Sequence, residues 1–130
     1  MIEFRLDQRS GVSTYLQIAQ QVRQALRLGL LEPGDQLPTV KEVVAHLAIN
    51  PNTVLKAYRE LEREGLAGGR PGQGTFILRT LAGSSLRSHA ALRRDLGRWL
   101  EKARGAGLDE ESIVALFTDT FHDSSKEGVA

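Results

Sequence analysis

The 130-residue sequence predicts a mainly α-helical chain with one small β-hairpin: three helices closed by the hairpin, then a tail of two more helices. Three observations predict this. Amphipathic segments recur at helical spacing, several of them opened by a capping residue and closed by glycine. A Gly-rich stretch at residues 68–74 lies between two short apolar runs, as in a hairpin. Residues 39–66, TVKEVVAHLAINPNTVLKAYRELEREGL, read as two helices joined by a tight turn.

Taken in order, Ile2, Phe4 and Leu6 alternate with Glu3, Arg5 and Asp7, the period of a short half-buried extended arm. Thr14 and Gln17 have capping-box spacing, and Leu16, Ala19, Val22, Arg23, Leu26 and Leu30 outline one stripe of a helix over about residues 14–28, ended by Gly29. Glu32, Pro33, Gly34 and Asp35 form a turn, and Gln36-Leu37 is long enough for a minimal strand. Thr39 and Glu42 form a second capping-box pair before Val40, Val43, Val44 and Leu47, which gives a helix of about two turns. Asn50 and Pro51 then supply an N-cap and a first helical residue. In the helix that follows, Val54, Ala57, Tyr58 and Leu61 share the buried face, and Gly65 stops it.

The opposite face of that helix carries Asn52, Lys56, Arg59 and Arg63, a polar stripe with three positive charges. Such donors suit base edges and phosphates. The plain alternative is a solvated face in which the cations pair with Glu60, Glu62 and Glu64. After it, Leu66-Ala67 and residues 75–78 flank the tip 68–74, whose four glycines let the backbone approach a surface while Arg70 and Gln73 reach outward. Three helices followed at once by a hairpin make a winged helix-turn-helix.

Composition narrows the function. With 17 basic and 16 acidic residues the net charge is +1, and residues 1–80 hold 10 Lys and Arg against 8 Asp and Glu, so a nucleic-acid case rests on where charges sit. Cysteine is absent, which excludes disulfides, thiolate chemistry and cysteine-based zinc sites. The start lacks a signal-peptide core, and no window nears a membrane span, so no membrane role and a cytoplasmic location are expected. His46, His89 and His122 are scattered and form no i, i+4 ligand pair; no enzyme activity, metal or cofactor is expected.

Residues 13–78 resemble the DNA-binding domain of the GntR family of bacterial transcription regulators, on the motifs PGDQLP, NPNTV, AYRELEREGL and GQGTF. The resemblance implies that the helix from Asn50 enters the major groove and that the wing around Gly72 enters the minor groove. It implies contacts from Lys41, Asn52, Thr53, Lys56, Gln73 and Gly74, and Thr39, Asn50, Arg59, Arg70 and Gly72 complete the candidate set. Two positions depart from many relatives, which carry Arg where this chain has Lys41 and Leu55; Lys lacks the bidentate fork and Leu offers only an apolar contact.

Domain limits are set at 1–80 for the winged helix-turn-helix and 81–130 for a short helical dimerisation region, with Gly83, Ser84 and Ser85 at the boundary. Leu92, Leu96, Trp99, Leu100 and Ala103 line one helix; Asp109 caps the next, Leu108 and Ile113 form its staple, and Ile113, Leu116, Phe117, Thr120 and Phe121 make its apolar face. Two helices alone do not cover these side chains, so a second copy is expected to, with Leu92, Leu96, Trp99, Leu100, Ile113, Leu116, Phe117 and Phe121 at the interface. A tail of about fifty residues is too short to enclose a ligand pocket of several hundred Å³, so a small-molecule effector held within one chain is not expected. The tail, with GLDEESIVALF, resembles that of the YtrA subfamily, which implies dimerisation. The expected function is a sequence-specific double-stranded DNA-binding regulator, a repressor acting as a homodimer on a palindromic operator. The rival reading is a winged helix used as a protein-interaction module.

Overall fold

A computed structural model of the chain describes residues 2–82 and 86–127, with side chains described for 2–82 and 89–125. The elements are α1 (Thr14–Arg27), α2 (Val40–Leu47), α3 (Pro51–Arg63), β1 (Ala67–Arg70), β2 (Gly74–Ile77), α4 (Leu86–Gly105) and α5 (Glu110–Glu127). They fall into two compact units, Met1–Ser88 and His89–Ala130. The predicted boundary residues Gly83, Ser84 and Ser85 lie outside the described residues.

Helix α3 organises the first unit, because it packs on both α1 and α2 and runs straight into β1. Val54, Ala57, Tyr58 and Leu61 are its buried face, as the 3.6-residue spacing predicts, and they meet Ile18, Ala19, Val22 and Leu26 of α1 in one core with Leu37, Val43, Leu66 and Ile77. Each fully buried aliphatic side chain here stabilises the unit by about 1.5–3 kcal/mol. The Tyr58 hydroxyl spends its polar end by donating to the Pro38 carbonyl at 2.6 Å, which ties α3 to the residue just before the α2 cap. Burial pushes that phenol well above its ordinary pKa, and the negative charge of Glu42 adds to the effect.

The joint between α2 and α3 is tight because both of its ends are locally satisfied. Both hydrogen bonds of the Thr39–Glu42 capping box form: the Glu42 N–H donates to Thr39 Oγ1 at 3.1 Å, and the Thr39 N–H donates to Glu42 Oε1 at 3.2 Å. Helix α2 stops at Ala48, held in the left-handed region at φ 55°, the one non-glycine residue with positive φ among the described residues. Two residues later Asn50 Oδ1 accepts from the Asn52 N–H at 2.8 Å with Pro51 at the first helical position, so α3 begins at once. At the far end of α3 the Gly65 and Leu66 N–H groups donate to the Glu62 and Leu61 carbonyls, a Schellman stop that hands the chain to the hairpin.

The hairpin is longer than the sequence reading allowed. Gly68, Gly69 and Arg70, expected in the tip, belong to β1, and Gly74 opens β2; the antiparallel register pairs Ala67 with Ile77 and Arg70 with Gly74. The reason is the turn at residues 70–73: Pro71 and Gly72 (φ 74°) fit the two central positions of a type II turn, closed by the Gln73 N–H donating to the Arg70 carbonyl at 2.9 Å, so only three residues are needed to reverse the chain. The minimal strand at Gln36-Leu37 is a single bridge from Gln36 to Phe76, supported by the Leu37 N–H on the Thr75 carbonyl at 2.9 Å.

At the N-terminus the arm carries Phe4 buried in the core, with Ile2 and Leu6 packed against it. The Thr14–Gln17 capping box does not form: Ser13 is the N-cap residue, without a side-chain cap bond. Gln17 is occupied elsewhere. It accepts from the Asp7 N–H at 2.8 Å and donates to the Asp7 and Val12 carbonyls, while Gln21, one turn on, accepts from the Arg5 N–H at 2.9 Å. Two glutamine amides thus stand in for a neighbouring strand and satisfy the arm's main chain. Leu30, counted in the stripe of α1, is 47% exposed because the helix has already ended, and Leu31 is buried in its stead.

In the second unit, α4 ends in a Schellman stop at Gly107, and Asp109 caps α5 through Oδ1, which accepts from the Ser112 N–H at 2.8 Å. Hydrogen bonding from Ser112, its side chain foremost and its backbone N–H next, holds the Asp109 carboxyl below its usual range. Ala103 and Ile113 are buried and Leu108 is half-buried. Ile113, expected at a dimer interface, is buried within its own unit. Leu92, Leu96, Leu116, Phe117 and Phe121 are exposed, Trp99 and Leu100 half-buried, and the Phe117 and Phe121 rings stack at 6.1 Å.

Candidate nucleic-acid interface

The candidate residues sit at three places in the first unit. Thr39 and Lys41 stand at the start of α2; Asn50, Asn52, Thr53, Lys56 and Arg59 follow the N-terminal half of α3; Arg70, Gly72, Gln73 and Gly74 form the wing tip. Thr39, Arg70, Gly72, Gln73 and Gly74 line one shallow, open surface with Gly69, Pro71 and Thr75, so five of the eleven lie together. On α3, Asn52, Lys56 and Arg59 are exposed opposite the buried face, while Thr53 and Leu55 are half-buried.

If the polar stripe of α3 were only a solvated face, its cations would be neutralised by the acids around them. Glu60 pairs with Arg63, and Glu64 is taken by Arg23 of α1 in a bidentate bridge with contacts of 2.6 to 3.1 Å, which raises the Arg23 pKa. Arg63 is therefore a paired surface residue, as that reading holds. Among the described residues Lys41, Lys56, Arg59 and Arg70 are in no ion pair, so their charge stays available to a polyanion.

Two of these cations are held by aromatic rings. Lys56 Nζ lies 4.1 Å from the centre of the Tyr15 ring on α1, and the Arg70 guanidinium lies 4.0 Å from that of Phe76 on β2. Neither Tyr15 nor Phe76 stands out in the sequence as part of the site, because each partner is brought by tertiary packing and no local spacing marks the pair. Gln36 was missed for the same reason: its Nε2 donates to the Gln73 carbonyl at 2.8 Å, across 37 residues of chain. Its only signal is a polar residue beside Leu37 in the two-residue stretch read as a minimal strand.

Comparison with known proteins agrees with this geometry. The family profile described as "Bacterial regulatory proteins, gntR family" matches residues 14–77, from the first residue of α1 to the last of β2. The HTH-type transcriptional regulator Rv1152 of Mycobacterium tuberculosis is 41% identical over 114 residues, which are 88% of this chain and 90% of that one. This chain belongs to the GntR family. Within the family it falls with the YtrA subfamily. The HTH-type transcriptional repressor YtrA of Bacillus subtilis is 47% identical over 73 residues, 56% of this chain and 56% of that protein, so the match spans little more than half of that relative. The solved structure of YtrA from Sulfolobus acidocaldarius, a GntR-family transcription factor, superposes with a TM-score of 0.54 at 25% identity, covering 92% of this chain and 97% of that one. Its coverage extends the likeness past the winged helix into the tail of this GntR-family chain.

Among the described residues no helix is long and apolar enough to cross a membrane, and no cluster of three His, Asp or Glu side chains is placed to hold a metal ion. His46 is an exposed residue in the last turn of α2.

Proposed function

We propose that this GntR-family chain is a sequence-specific repressor that binds double-stranded DNA as a homodimer on an inverted-repeat operator. The observation that carries the reading is the set of exposed, unpaired cations on α3 and the wing, Lys56, Arg59 and Arg70, beside the amide of Asn52 at the helix N-terminus. An α-helix so furnished fits a major groove, and a narrow turn with glycine at its apex fits a minor one. Dimerisation is supported by the exposed apolar side chains of α4 and α5, Leu92, Leu96, Leu116, Phe117 and Phe121, which a second copy would cover. A two-fold dimer presents two recognition helices, which calls for a palindromic site with half-sites about one helical turn or a small multiple apart. Repression follows most simply from occlusion of a promoter, and a tail of about fifty residues is too short to enclose within one chain a pocket of several hundred Å³ for an effector.

The test is duplex binding at two salt concentrations. Affinity should fall steeply with salt, because each neutralised phosphate releases counterions. Asn52→Ala should relax sequence preference, while Arg70→Ala should weaken all duplexes alike and flatten the salt slope. Light scattering should give twice the 14.3 kDa chain mass. Salt-independent or absent duplex binding would move the protein to the protein-docking reading.

A further inference from the structure

We propose that Gln36 is a positioning residue of the wing: its side-chain amide fixes the tip in the shape presented to the duplex, without itself being a contact. This rests on the DNA-binding reading above. Gln36 meets the hairpin twice, once on strand β2 and once at the tip. Its main chain bridges Phe76, and its Nε2 donates to the Gln73 carbonyl at 2.8 Å. The side chain lies so close along the tip that a β-carbon on Gly74 would stand 2.6 Å from Gln36 Nε2; glycine at that position, with φ 122°, is what lets the amide in.

The same small unit carries the wing's cation. Phe76, the bridge partner of Gln36, is the ring on which the Arg70 guanidinium rests, and Arg70 accepts the turn-closing bond from the Gln73 N–H. One amide therefore holds the carbonyl of Gln73 while its backbone holds the platform under Arg70. Gln36 is exposed, so its bond contributes little to the core. Its effect is to order a short Gly-rich turn before binding, which removes that cost from association.

The experiment has two readouts on the full chain. In the free protein, backbone amide relaxation at Gly72, Gln73 and Gly74 should show lower order in Gln36→Ala than in the wild type, with thermal unfolding essentially unchanged. On a duplex drawn by the wild-type protein from a random-sequence pool, Gln36→Ala should weaken binding roughly three- to tenfold, the worth of one hydrogen bond. Combined with Arg70→Ala it should add less than its separate effect, because both act through one unit. Unchanged order at the tip would overturn the clamp. Fully additive losses would overturn the positioning role and make Gln36 an independent contact. If the wing loosens but the wild type selects no duplex, the clamp is real but its proposed role in recognition is overturned together with the DNA-binding reading, whereas a wild type that binds beside a tip indifferent to Gln36 overturns this inference alone.

Discussion

Leu61 in α3 and Leu116 in α5 are both leucines on the apolar stripe of a helix, yet Leu61 is fully buried and Leu116 is 46% exposed. The difference lies in what surrounds each helix. Helix α3 has α1, α2 and β1 packed on it, so its stripe closes inside one chain. Among the described residues of the second unit Ala103 and Ile113 are the buried hydrophobic ones, and Leu92, Leu96, Phe117 and Phe121 are left exposed. Equal sequence patterns thus produce a finished core in one region and an unfinished surface in the other, and the unfinished one is where a second copy is proposed.

Truncating each leucine should separate the two regions most strongly. Leu61→Ala should cost about 3 kcal/mol in urea unfolding of the first unit, from lost burial plus a cavity. Leu116→Ala should leave unfolding of dilute protein nearly unchanged. Equal losses at the two sites would mean that α5 is already covered within one chain.

A second, smaller effect should appear only in assembly. Phe117→Asp puts a charge into the stacked Phe117–Phe121 pair and should weaken self-association by about 2 kcal/mol, close to thirtyfold, read as a shift in weight-average mass with dilution. An unchanged mass profile would place the dimer contact elsewhere.

Tyr58→Phe tests how α3 is locked to the residues before α2. Loss of the hydroxyl leaves the Pro38 carbonyl unpaired at a cost of about 1 kcal/mol. The pH dependence has a fixed sign. The folded phenol has a raised pKa, so its contribution is complete below the ordinary value of 10.0 and is lost as pH rises beyond it, where the unfolded chain ionises first. Stability of the wild type should therefore drop more steeply above pH 10.0 than that of Tyr58→Phe; parallel curves would contradict the burial of the hydroxyl.

The smallest expected effect is a gain. Ala48→Gly relieves a left-handed alanine at the end of α2, and after allowing for the greater freedom of glycine in the unfolded chain it should raise stability by about 0.5 kcal/mol. A loss would show that the methyl group is held by contacts outweighing its backbone strain.

Much of this was legible along the chain because the signals are local. A capping box is two residues three apart, and Thr39 with Glu42 forms one as read; Asn50-Pro51 starts α3, and Gly65 ends it where glycine costs least. The same local logic failed at Thr14, since a capping pair is only a potential one: Gln17 was drawn off by an arm ten residues upstream, whose main chain needed partners more. It failed in the hairpin because a Pro-Gly turn needs fewer residues than the run of glycines suggested.

The sequence by itself determined where helices begin and end, which face of α3 is apolar, which cations oppose it, and the family, because each depends on residues within one or two turns or on a contiguous motif. Only the tertiary structure decided which charges stay free and what holds them: Arg23 meets Glu64 across 41 residues, Lys56 rests on Tyr15 of another helix, and Gln36 reaches Gln73. Those pairings carry no periodicity. They exist because the folded core brings the segments together, and a side-chain partner at long range is set by the path of the backbone between, which no local pattern records.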